Sequence, residues 1–204
     1  MTVKHHFGND TRSNRERMMA GYPYIADDPE LQAASKRAIE LAHRYGAVYV
    51  TDPSAARPLL DALLGTVAPD AQLRPPLYVD YGFNISIGAG TFINYGLVAL
   101  DVAPIVIGKD VQIGPNVQLL TPTHPIDPEA RRNKLEAAEP IVIEDNVWLG
   151  GAVVVLPGIT IGANSVIGAG SVVTRDIPPN VVAVGNPARI IRHSITAGKD
   201  AGQL

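Results

Sequence analysis

The 204-residue sequence predicts an all-β solenoid, a parallel β-helix with an N-terminal helical appendage. The first observation behind this is a period. Ile143, Leu149, Val155, Ile161, Ile167 and Val173 recur every six residues, and four residues after each stands Val147, Val153, Ile159, Ser165, Ser171 or Ile177. Six matches neither the 3.6 of a helix nor the 2.0 of a lone strand, so it describes a repeating supersecondary unit. The second observation is that glycine, asparagine and aspartate recur between these positions, where tight turns need left-handed backbone. The third is composition: only 5% of residues are aromatic, while Gly (19) and Pro (17) are plentiful, which suits a turn-rich coil filled by Val and Ile. Each hexapeptide makes one flat side and three make a coil, with positions i and i+4 stacked inward on their counterparts. Spacing does not fix the hand, and parallel crossovers are in general right-handed.

Taken in order, residues 12–22 form a short first helix ending at Gly21. Asp28-Pro29-Glu30 starts a second, with Asp as N-cap and Pro at the first helical position. It runs to about Tyr45 and stops at Gly46. Asp52-Pro53 resembles another start, but Pro58 restricts the regular part to about Arg57 to Leu64, before Gly65. Residues 1–70 are thus a helical segment that caps the first coil. The solenoid, 71–188, begins near Leu73, slips phase by two residues between Asp101 and Pro104, and is interrupted by an external loop at 121–140, polar, proline-rich and aperiodic. Loops of that length in a compact repeat are usually functional. At about 18 residues per coil the repeats make roughly five coils, ~4.8 Å apart and about 25 Å long. Residues 189–204 are a tail, frayed over its last ten.

A net charge of −3 leaves no electrostatic footprint for nucleic acid. Without cysteine there is no disulfide, thiolate metal site or Cys nucleophile. No apolar run is long enough for a signal peptide or membrane span, so a cytoplasmic protein without membrane partners is expected. Of five histidines, His5, His6, His43 and His193 read as surface or packing residues. His124 differs, because it opens the long loop between Pro122 and Pro125, where little backbone entropy remains to be lost. It suits a general base near neutral pH, or equally a loop histidine bonding backbone. Trp148, the only tryptophan, falls at a phase that points outward, as a contact between subunits or a ligand platform. Asn94 follows the inward Ile93 and can orient a substrate or merely turn a corner. Arg175, Arg189 and Arg192 gather near the solenoid's end, as phosphate ligands or solvated charges. Asp80 and Asp101 flank the early coils and can accept hydrogen bonds from sugar hydroxyls.

These pieces resemble a known family. Pro75-Pro-Leu-Tyr-Val-Asp-Tyr-Gly-Phe-Asn-Ile, Leu100-Asp-Val-Ala-Pro-Ile, Thr121-Pro-Thr-His-Pro-Ile-Asp-Pro, Asn146-Val-Trp-Leu-Gly-Gly and Gly185-Asn-Pro-Ala-Arg-Ile-Ile-Arg, in that order, are similar to the hexapeptide-repeat sugar O-acetyltransferases that act on maltose, galactosides and nodulation factors. The resemblance implies a left-handed parallel β-helix and a homotrimer with active sites between subunits. It implies acetyl-CoA as co-substrate, no metal, and direct transfer to a sugar hydroxyl. His124 would be the catalytic base and Asn94 would stabilise the transition state. The Gly151 amide would meet the thioester oxygen, and Trp148, Ala169, Thr174, Arg175, Arg189 and Arg192 would hold coenzyme A. Asp80, Phe92, Asn94 and Asp101 would face the acceptor.

Departures qualify the resemblance. Galactoside enzymes carry a tyrosine and a second acidic residue where this chain has Phe92 and Val102, which sets it nearer the maltose branch. The acid that their helical segment lends to the sugar has only Asp27 or Asp28 as neighbours here. Other acceptors, such as an antibiotic or serine, and a non-catalytic scaffold are the alternatives.

Overall fold

A computed structural model describes residues 7–193 of the chain. His5, His6 and the last residues of the expected frayed tail lie outside that range.

The six-residue period builds a three-sided coil. The first face stacks Thr66–Val67, Ile85–Ile87, Ile105–Ile107, Ile141–Ile143 and Thr160–Ile161, all parallel. The second stacks Gln72–Leu73, Phe92–Ile93, Gln112–Ile113, Trp148–Leu149, Val166–Ile167 and Val181–Val184. The third stacks Leu77–Val79, Leu97–Leu100, Gln118–Leu120, Val154–Val155 and Val172–Val173. This is a left-handed parallel β-helix of about six turns, one more than the roughly five expected from repeat spacing. The extra turn comes from the start: Thr66 and Val67 already pair with Ser86 and Ile87, ahead of residue 71.

Inward positions form columns. Ile107, Ile143 and Ile161 lie one above another, as do Ile113, Leu149 and Ile167, and all are buried. The inward hydroxyls satisfy themselves on nearby carbonyls: Ser165 donates to Pro178 at 2.8 Å and Thr91 to Gly108 at 2.8 Å. At the corner between first and second faces Asn146, Asn164 and Asn180 adopt positive φ, and their amides form a ladder with bonds of 2.9 and 3.0 Å. The last strand, Arg189–His193, turns back antiparallel on Val181–Val184 and covers the final coil.

Helix α1, Asn14–Met19, is held by a capping box between Ser13 and Glu16. Helix α2 spans Pro29–Tyr49 with Asp28 accepting the Glu30 and Leu31 amides. It does not stop at Gly46. That residue has no positive φ and lies against Pro75, and the buried Tyr45 beside it donates to the Leu73 carbonyl. Helix α3, Pro53–Leu63, starts at the Asp52 cap, earlier than Arg57. Pro58 lies inside it, at the cost of the one amide bond a proline cannot donate. Among the described residues no helix is long and apolar enough to cross a membrane.

Candidate active site

The corner between third and first faces is where the chain departs from its period. Six residues separate Val79 from Ile85 and Ala99 from Ile105, whereas Val155 to Ile159 takes four; the coil between carries the excursion at 121–140. Corners absorb such excess because the inward columns on either side keep their register.

Asp101 organises this corner. Its wholly buried carboxylate accepts the Tyr81 amide at 2.8 Å and the Asn84 amide at 3.1 Å, while the Asn84 side chain donates to the Asp101 carbonyl at 2.8 Å. Burial pushes the carboxyl up from its ordinary range, against the lowering effect of those amides. The acceptor contact expected for Asp101 is therefore corrected: its oxygens are committed to backbone, and it ties two successive turns together.

The excursion is not aperiodic either. Pro122–Thr123 pairs antiparallel with Leu135–Ala138, which pairs in turn with Tyr24–Ile25 of the N-terminal segment. Helix α4, Pro128–Arg132, sits at the tip and is capped by Asp127, whose carboxylate accepts the Ala130 amide at 2.7 Å. Arg131 donates to the carbonyls of Pro125 and Ile126 and closes the turn after His124.

This hairpin, the first turns of α2 and the expanded corner enclose a cleft of about 340 Å³ lined by Tyr24, Gln32, Ser35, Asp80, Tyr81, Val102, His124 and Glu136, among others. His124, 56% exposed, places Nδ1 3.7 Å from Glu136 Oε1. The buried Tyr24 hydroxyl donates to Glu136 Oε2 at 2.6 Å. Burial, then the bond to Glu136, hold that phenol far above its ordinary range, so it stays a donor. A carboxylate fixed on one side and facing an imidazole nitrogen on the other sets which ring nitrogen is left to take a proton. Asp80 is pushed up to about 6 by burial and then by the charges of Asp101 and Glu136. Tyr24 and Glu136 were not singled out from the sequence. Asp28 is committed to its cap, and neither it nor Asp27 lines the cleft. A larger hollow of about 490 Å³ lies between α2, α3 and the Pro69–Leu73 segment, but its Arg57 is occupied by Asp61 and the carbonyls of Val67, Ala68 and Pro69.

A second group of expected site residues lies elsewhere. Asn94, Gly151 and Ala169 stack along the corner between second and third faces. Asn94 Oδ1 accepts the Tyr95 amide at 2.9 Å. The Gly151 and Ala169 amides donate to no acceptor among the described residues. Phe92, Gln112, Trp148, Val166 and Val182 form one outward column on the second face, where Trp148 is 42% exposed as its phase requires. Arg192 stands beside Val182 and Arg189 beside Val184. Thr174 and Arg175 are exposed, back at the corner between third and first faces. Asn94 and His124 thus stand at opposite ends of the third face, whose four-residue strand Leu97–Leu100 spans about 13 Å. One chain cannot bring both to a single substrate atom.

Comparison with known proteins agrees with this architecture. Residues 17–68 match the maltose acetyltransferase hexapeptide capping motif, and residues 140–175 match the bacterial transferase hexapeptide of six repeats. Nodulation protein L of Rhizobium meliloti is 47% identical over 180 residues, 88% of this chain and 98% of that protein. The crystal structure of a maltose O-acetyltransferase from Clostridium difficile 630 superposes with a TM-score of 0.88 at 41% identity, covering 92% of this chain and all of the other. A hexapeptide-repeat acetyltransferase from Vibrio cholerae, complexed with acetyl coenzyme A, gives 0.83 at 38% identity, over 91% of this chain and 100% of its own. A helical cap of the maltose acetyltransferase type, the six-residue coil and identity sustained along nearly the whole length leave one assignment: this chain belongs to the hexapeptide-repeat acetyltransferase family.

Proposed function

We propose that the chain transfers the acetyl group of acetyl-CoA to a hydroxyl of a sugar, directly and without an acyl-enzyme, with His124 as general base. The observation that carries the proposal is the arrangement Tyr24–Glu136–His124 at the mouth of a cleft otherwise lined by uncharged side chains and Asp80. His124 takes the proton of the acceptor hydroxyl as its oxygen attacks the thioester carbonyl. When the carbon–sulfur bond breaks, the same proton returns to the departing thiolate, so that one residue serves both halves of the step. The imidazolium in between is stabilised by Glu136, whose charge Tyr24 keeps oriented. Bringing both reactants to one base supplies most of what direct transfer needs.

Acetyl-CoA fits the second group of residues. The unpaired Gly151 amide is a donor for the developing oxyanion. The Ala169 amide, Trp148 and the three arginines 175, 189 and 192, with Thr174, offer donors, a flat surface and positive charge to a long anionic ligand. Because Asn94, Gly151 and Ala169 occupy one corner while His124, Thr174 and Arg175 occupy another, a second copy must supply the missing half. Three-sided prisms around a threefold axis, a homotrimer, place unlike corners together three times.

The test is complementation. His124→Ala and Asn94→Ala, each inactive alone, are unfolded together and reassembled. Random mixing restores both residues at about a quarter of shared sites, so activity toward acetyl-CoA and a sugar reappears; no recovery in verified mixed trimers would place each site within one chain.

A further inference from the structure

The cleft beside His124 has an unbalanced charge. Its lining includes two carboxylates, Asp80 and Glu136, and no lysine or arginine. Glu136 is occupied by the Tyr24 hydroxyl and faces His124. The carboxylate of Asp80 receives no hydrogen bond from the described residues. Directly behind it Asp101 is buried with its oxygens on backbone amides and no cation. Of the bases on neighbouring elements, Arg15 pairs with Glu30, Arg17 with Asp10, and Arg131 donates to the carbonyls of Pro125 and Ile126, and none of them lines the cleft. Arg74, on the corner a second copy would present, lies over the rings of Phe92 and Tyr95 at 5.1 and 5.0 Å. Neutral sugar hydroxyls can donate to these carboxylates but bring no charge to offset them. A half-buried carboxylate repelled by two others, with an open path to the cleft, is best satisfied by a cation on the ligand.

We infer that the acceptor is an amino sugar whose free ammonium is held by Asp80 while a hydroxyl of the same ring is presented to His124. The inference rests on the acetyl-transfer reading above and names the acceptor class for that site. The cleft volume, at the small end of the roughly 300–1,000 Å³ of ligand pockets, accommodates a single sugar ring. An ammonium paired with a carboxylate keeps its proton and is no nucleophile. Acetyl transfer therefore forms an ester at the hydroxyl, releases the coenzyme thiol, and leaves the amine free.

The experiment compares kcat/KM at saturating acetyl-CoA for glucosamine, N-acetylglucosamine and glucose, in the wild type and in Asp80→Asn, with products assigned by NMR. The wild type should favour glucosamine by about tenfold or more over both neutral sugars, the factor of one charge-assisted hydrogen bond. Its product should be an O-acetyl ester with an intact amine, and in Asp80→Asn the preference should collapse toward unity. Equal use of the three sugars, a preference that survives Asp80→Asn, or N-acetylation of glucosamine would overturn the inference while leaving sugar acetylation standing. Absence of transfer to any sugar, with acetyl-CoA binding retained, would overturn the sugar-acceptor reading and this inference with it.

Discussion

Replacing Asp80 by Asn should stabilise the protein at neutral pH while impairing the site. The native carboxyl is pushed up to about 6 from an ordinary 3.8, first by burial and then by Asp101 and Glu136. In the unfolded chain those causes vanish. The native state therefore binds this proton more tightly than the unfolded state does, and ionising Asp80 costs native stability. The cost is absent below about pH 4, grows as pH rises toward 6, and is complete above it. At about 1.4 kcal/mol for each tenfold difference in proton affinity, it amounts to roughly 2–3 kcal/mol at pH 7.5. The amide keeps the shape of the side chain and removes the charge. For a chain of this length roughly 2–4 °C accompanies each kcal/mol, so Asp80→Asn should melt about 5–10 °C higher at pH 7.5, with the two curves meeting near pH 4. Paired thermal melts between pH 4 and 8, without ligand and at one protein concentration, measure the difference directly. A variant no more stable than the wild type at pH 7.5 would show that the ionised Asp80 already has a favourable partner, and the electrostatic account of the cleft would fall with it.

Three further outcomes follow from the geometry. His124→Ala should lose about 10²- to 10⁴-fold in kcat while calorimetry shows acetyl-CoA binding unchanged, because the histidine lies on the hairpin and not on the coil; near-normal turnover would reduce it to a loop residue. Glu136→Gln should lower kcat by about tenfold, the worth of one charged contact, without altering the KM for acetyl-CoA; a change confined to KM would assign Glu136 to binding instead. Arg189→Ala and Arg192→Ala should each raise the KM for acetyl-CoA by about tenfold or more and spare the preference among acceptors, and unchanged values in both would leave these arginines as solvated charges of the last strand.

What was legible in the sequence follows from how local each signal is. The six-residue period identified the inward columns, since stacking constrains every coil alike and repetition averages out accidents. The Asp28-Pro29 start was legible because a cap is made within four residues, whereas Asp52-Pro53 was passed over for a start near Arg57 because Pro58 follows it, although Asp52 caps α3. The same signal at Asp127-Pro128 went unread, overshadowed by the prolines around it, although it starts α4. Gly46 misled because a glycine inside a helix and a glycine that ends one look alike in one dimension. Glu136 was out of reach: its partner Tyr24 is 112 residues away, and the two-residue strand that joins them has no period to detect. The reading of Asp101 as an acceptor contact failed because whether its carboxylate faces inward or outward depends on the course of a two-residue excess that the period does not specify.

That excess also explains why the cleft stands where it does. In a coil whose interior is a continuous stack, an insertion on a face would break three columns at once, whereas an insertion at a corner only lengthens a turn. The chain places its departures at one corner in three successive turns, as two residues near Asp80, two near Asp101, and the hairpin carrying His124 and Glu136. The opposite corner keeps the strict period, so its backbone is regular enough to align free amides at Gly151 and Ala169 along the axis. An irregular corner can hold a base and shape a cleft; a regular corner can hold a long ligand. Since a triangular prism separates its own corners by the width of a face, the two capabilities meet only when one prism is set against another, which is the physical ground for proposing a shared site.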